Sequence, residues 1–93
     1  MHYISGHMYY ILSYDVKEKR VGKALKVVRR YLTWVQNSVF EGELTESRAD
    51  ALRKELATLL DFSEDSVIIF AAQKNWIRRE VLGREKNSTD NFV

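Results

Sequence analysis

Apolar residues crowd into short runs along this chain, and the spacing inside each run differs. From Met8 to Asp15, Tyr10, Leu12 and Tyr14 alternate with Tyr9, Ile11 and Ser13, and both sets are largely apolar. The pattern predicts a strand over 8–15 in which neither side is built to face water. Such strands sit centrally, covered on both faces. In a small domain, helices cover one face and a second subunit is available for the other. Val21, Leu25, Val28 and Leu32 then recur at spacings of four, three and four, with Ala24 and Tyr31 beside them. That spacing predicts an amphipathic helix over 18–32.

Strand formers return over 33–44 at Thr33, Trp34, Val35, Val39 and Phe40. Asn37-Ser38 breaks this run, which predicts a tight hairpin or a bent strand with a bulge, and Gly42 is expected to mark a second bend. Thr45 is suited to cap a second helix with Glu46 in its first turn. Ala49, Leu52, Leu56, Leu59 and Leu60 give that helix its apolar stripe. Residues 65–73 read as a strand with Val67 to Ala72 as the buried run. Strand, helix, strand region, helix, strand is the skeleton of an α+β fold, the ferredoxin-like βαββαβ sandwich with two helices on one face of an antiparallel sheet.

The domain is expected over 8–83. Residues 1–7 carry no periodicity and hold both histidines, so they read as a tag remnant or an upstream extension. Beyond Asn75 the chain is amphipathic at Trp76, Ile77, Val81 and Leu82, polar from Glu85 to Asn91, and apolar again at Phe92 and Val93. Residues 84–93 cannot build a core of their own.

Composition adds three constraints. A chain of 93 residues makes one domain, buries roughly 65% of its surface, and is helped by oligomerisation. The absence of cysteine excludes disulfides and thiolate metal sites. No apolar run approaches the ~18 residues that span a bilayer, so no membrane role and a cytoplasmic location are expected.

The net charge is only +2, but it is unevenly spread. Lys17, Lys19, Arg20, Lys23, Lys26, Arg29 and Arg30 crowd the first helix against a single Glu18. Lys19, Lys23, Lys26 and Arg30 follow the helical rhythm on the face opposite the apolar stripe. Such a row suits a polyanion, RNA or duplex DNA; a plain solvated face is the alternative.

Several chemistries are excluded. His2 and His7 both lie in the N-terminal extension, which leaves no histidine base or histidine-rich metal site in the domain. The four glycines are scattered and form no phosphate loop. Asp15 remains, at the end of the first strand. By itself it reads as a turn or cap aspartate, and one carboxylate is a poor magnesium site.

Tyr14-Asp15 at a strand end, a basic helix, and then Val35-Gln36-Asn37-Ser38-Val39-Phe40-Glu41-Gly42 together resemble the small CRISPR-associated protein two family from about Met8 to Gly83. The resemblance implies a metal-dependent endonuclease cutting RNA or DNA, and a homodimeric adaptor that joins the CRISPR-associated integrase during spacer acquisition. It implies that Asp15 from two subunits meets across a two-fold axis to hold Mg²⁺ or Mn²⁺. It implies catalytic support from Arg20 and Ser38, with Tyr14 and Phe40 beside them; read from the residues, Phe40 is rather core, and Glu41 is a metal ligand or a solvent-facing residue. It implies that Lys19, Lys23, Lys26, Arg29 and Arg30 contact nucleic acid, and that the tail adds an extra strand segment to the partner's sheet.

One departure stands out. Many members carry arginine immediately before the Val-Gln pair, where this chain has Trp34. Arg29 or Arg30 is a candidate replacement; otherwise the chain is a non-catalytic DNA-binding scaffold between integrase dimers. A further alternative is an unrelated ferredoxin-like domain stacking single-stranded RNA on Tyr9, Tyr10 and Tyr14.

Overall fold

The computed structural model describes residues 7–73 and 76–84. Along the chain run β1 (His7–Asp15), α1 (Glu18–Arg29), β2 (Thr33–Gln36), β3 (Val39–Thr45), α2 (Glu46–Leu59), β4 (Ser66–Gln73) and β5 (Trp76–Gly83). The strands form one five-stranded sheet in the order β2-β3-β1-β4-β5, antiparallel throughout. This is the expected βαββαβ sandwich with one strand added outside β4. The first strand opens one residue sooner than expected, because His7 pairs with Thr45. The rest of the expected extension and the tail from residue 85 onward lie outside the described residues.

Alternation along β1 decides which side each residue serves. Met8, Tyr10, Leu12 and Tyr14 are buried and pack in one core with Ala24 and Val28 of α1 and Ala49, Leu52 and Leu56 of α2. Tyr9 and Ile11 point to the other side and are about 40% exposed, at 40% and 39%. Cross-strand partners share a face, so Ile11 paired with Phe70, and Tyr9 with Ala72 and through it Ile77, extend this uncovered apolar surface. The parity corrects one expectation: Tyr10 and Tyr14 face the helices and cannot stack bases on the open sheet, which leaves Tyr9 alone there.

The second helix is capped as expected, with Thr45 Oγ1 accepting from the Arg48 amide at 3.1 Å. The first ends three residues sooner than its apolar stripe, at Arg29. The Tyr31 and Leu32 amides both turn back to the Val28 carbonyl, each at 2.9 Å. This tightens the last turn, so Leu32 keeps its buried place after the helix has closed. The hairpin and the bulge expected as alternatives both form. Asn37 turns at φ 46°, a left-handed conformation that asparagine tolerates, and the register slips between Trp34 and Gln36. Gly42 does not bend β3, which runs through it paired to Tyr10. Its missing side chain leaves room for Leu32, whose Cδ2 would lie 3.3 Å from an added Cβ.

The added strand, β5, lies within the expected domain and pairs with β4 of the same chain. It stops at Gly83, where φ is +86° and an added Cβ would lie 2.4 Å from the Asp65 carbonyl oxygen. Only glycine fits both conditions. Among the described residues no helix is long and apolar enough to cross a membrane.

Candidate functional site

Asp15 is the last residue of β1 and is exposed. It pairs across β4 with Ser66, on the helix-free face shared with Ile11 and Tyr9. On the other flank the Tyr14 amide donates to the Ser38 carbonyl at 3.2 Å. The hairpin turn thus brings Ser38 against the end of β1, and the structure places Tyr14, Asp15 and Ser38 in one neighbourhood. Phe40 is wholly buried, its ring 5.4 Å from that of Tyr14. It is core, and it props Tyr14 rather than reaching the surface. Burial lifts the Tyr14 hydroxyl above its usual pKa, which keeps that group neutral. Glu41 lies on the open face opposite Ile11; its hydrogen bond to Tyr9 is the main cause raising the Tyr9 hydroxyl.

Arg20 has a different occupation from the one expected. Its Nε donates to Asp65 Oδ2 at 2.6 Å, and its Nη2 donates to Asp65 Oδ1 at 3.0 Å and to Glu64 Oε1 at 2.7 Å. One edge of the guanidinium fork is therefore committed to carboxylates. Asp65 is completely buried. It also accepts from the backbone amides of Lys17 and Asp61, both at 2.9 Å. The Arg20 guanidinium first, and these amides after the opposing effect of burial, hold its carboxyl down at about 2. Asp65 carried no expectation beyond opening a strand. The signal for it was indirect, since α1 begins at Lys17 with no side-chain cap in a sequence that offers no Ser, Thr, Asp or Asn there.

The basic row lies on the outside of the helix layer. Lys19, Lys23, Lys26 and Arg30 are all exposed. Lys19 lies 3.9 Å from Glu64, and Arg30 is tied to Glu55 on α2. Among the described residues Lys23 and Lys26 have no ion-pair partner. Arg29 stands apart from the row, its guanidinium 5.4 Å from the Trp34 ring centroid. Trp34 in turn donates from Nε1 to the Asn37 carbonyl at 2.7 Å. The residue standing at the usual arginine position thus braces the hairpin turn and engages Arg29.

No group of three or more His, Cys, Asp or Glu side chains able to hold a metal ion occurs among the described residues. One chain therefore offers Asp15 as a single carboxylate.

The family model for CRISPR associated protein Cas2 matches residues 8–80. A CRISPR-associated endoribonuclease Cas2 of Thermotoga maritima is 47% identical over 87 residues, spanning 92% of this chain and 99% of that one. The Dictyoglomus turgidum protein of the same description is 40% identical over 87 residues, spanning 92% of this chain and all of its own length. A crystal structure of a Cas2 protein superposes with a TM-score of 0.70 at 40% identity, covering 89% of this chain and 94% of that chain. A hypothetical protein from Thermus thermophilus superposes with a TM-score of 0.69 at 32% identity, covering 85% and 94%.

Proposed function

The chain belongs to the Cas2 family of CRISPR-associated proteins, and from that premise we propose that it is a metal-dependent endoribonuclease whose cutting centre is shared by two copies. The observation that carries this reading is the position of Asp15, exposed at the end of the central strand on a sheet face that no helix among the described residues covers. A second copy laid on that face buries Tyr9, Ile11 and Phe70. The two-fold axis then sets one Asp15 opposite the other. Two carboxylates, with waters, suit Mg²⁺ or Mn²⁺; one does not. The paired Asp15 carboxylates would hold such an ion, which would supply an activated water and charge screening at the scissile phosphate. Asp15 holds and orients that centre. Ser38, fixed against β1 by its own carbonyl, supports the Asp15 end of the strand. Arg20 acts at a distance, since its fork is spent on Asp65 and Glu64.

The test is cleavage of labelled single-stranded RNA and of duplex DNA, with Mg²⁺ or with EDTA, by parent and Asp15→Ala protein. Metal-dependent cutting that drops at least a hundredfold in the variant supports the reading and names the substrate. Equal cutting by both proteins refutes it.

A second reading is favoured by Trp34 and by the engaged Arg20 and Arg29. Here the dimer is a scaffold that holds duplex DNA on Lys19, Lys23, Lys26 and Arg30 and bridges copies of the CRISPR-associated integrase. Its contacts are to phosphates, without reading of sequence. Binding to DNA and integrase that survives alanine at all four positions would rule this surface out.

A further inference from the structure

Four hydrogen bonds converge on the buried Asp65 carboxylate, and their donors come from two separate stretches of chain, the start of α1 and the loop after α2. The Lys17 amide lies two residues after Asp15, the Arg20 guanidinium is in the first turn of α1, and the Asp61 amide is in the loop leaving α2. The residue after Asp65 is Ser66, the register partner of Asp15. On the backbone side, the Arg84 amide closes on the Asp65 carbonyl at 3.4 Å, and Gly83 presses against the same oxygen. The end of β1 is therefore held from one flank by the Ser38 carbonyl and from the other by a latch on the chain that leaves it. A charged carboxylate buried this completely is stable only with full pairing, and this one has it.

We propose that Asp65 is a positioning residue for Asp15: through Lys17 and Arg20 it fixes the turn after β1, so that the Asp15 carboxylates of two copies are presented at the spacing one divalent ion needs. The assignment rests on the reading of Asp15 as the metal ligand. Asp65 touches neither ion nor substrate; it acts through the backbone two residues downstream and through the guanidinium it immobilises. Residues that orient a metal ligand in this way change metal affinity or activity by about 10–100-fold when altered. The Arg20 fork follows as part of the latch and not as a separate contact to phosphate.

The experiment compares four proteins: the parent, Asp65→Asn, Arg20→Met and the double variant. Val28→Ala, a core truncation at the far end of α1, serves as a control for lost stability. Each is titrated with Mn²⁺ while line broadening at the Asp15 amide is followed by NMR, and each is assayed for RNA cutting. The expected result is a Mn²⁺ midpoint raised about tenfold and cutting reduced about tenfold in Asp65→Asn and in Arg20→Met, with Val28→Ala near the parent. The double variant should be no worse than either single one, as residues acting as one unit behave. Asp65→Asn matching Val28→Ala in both readouts overturns the assignment and leaves Asp15 as ligand. Losses that multiply in the double variant overturn it too, since Arg20 then acts on its own. A parent showing neither broadening at Asp15 nor metal-dependent cutting overturns the nuclease reading and this assignment together.

Discussion

Replacing Asp65 by asparagine should make stability less dependent on acid, and the size of the change follows from the latch. The folded carboxyl titrates at about 2, against 3.8 for the ordinary group. Each pKa unit corresponds to 1.36 kcal/mol, so the charged form contributes about 2 kcal/mol to folding near neutrality. Because the folded value is depressed, this contribution is complete above about pH 4. It is lost as pH falls through 2, below which both states hold the proton. Removing one partner of a buried ion pair costs roughly 3–5 kcal/mol; Arg20 retains Glu64, which brings the expected cost to the lower end of that range or slightly below. Urea unfolding followed by tryptophan fluorescence, at fixed protein concentration, supplies the assay. Parent minus variant should be about 2 kcal/mol at pH 7 and should shrink steadily between pH 4 and pH 2. Asp61, which Ser63 also holds low, is present in both proteins and largely cancels in the difference. A gap that stays constant down to pH 2 would mean that Asp65 stabilises by shape alone, and the electrostatic reasoning would fail.

Two further outcomes are expected. Ile11→Asp sets a charge beside Glu41 in the middle of the open sheet face; light scattering should then report a monomer with intact far-UV dichroism and no metal-dependent cutting, and a persisting dimer would show that pairing uses another surface. Lys23→Ala with Lys26→Ala removes the two cations of the row that have no ion-pair partner among the described residues. Each phosphate left without its cation lowers the salt slope of duplex binding by about 0.9, so filter binding across a salt series should show a slope about 2 units shallower for each copy of the dimer that contacts the duplex; an unchanged slope would place the DNA elsewhere.

Much of the molecule was legible in its sequence because the relevant signals are local. The period of α1 gives both its buried stripe and its cationic row, and Thr45 announces the cap it provides. Phe40 is core, as its apolar strand permits. What escaped was decided between distant residues. Both faces of β1 are apolar, so no pattern could say that Tyr10 and Tyr14 look toward the helices and Tyr9 away from them; only the register with β3 and β4 does. Arg20 looked available because Asp65, the group that engages it, is 45 residues away in sequence. Leu32 fits the helical rhythm and is buried, yet the helix ends before it, since burial is kept by a tightened turn as well as by another turn of helix. Gly42 resembled a bend and proved to be a space left for Leu32.

The sheet has a consequence for how such a protein can change. Asp15 lies on the helix-free face of the sheet and the basic row on the outside of the helices, with the core of Leu12, Val28 and Phe40 between the two layers. On the proposed reading, substitutions at Lys23 and Lys26 alter the grip on a polyanion without reaching the strand end, whereas Lys19 is joined through Glu64 to Arg20 and the latch. Selection can therefore, on that reading, weaken one role while the other is kept, and Trp34 leaves the exposed cations of the row in place.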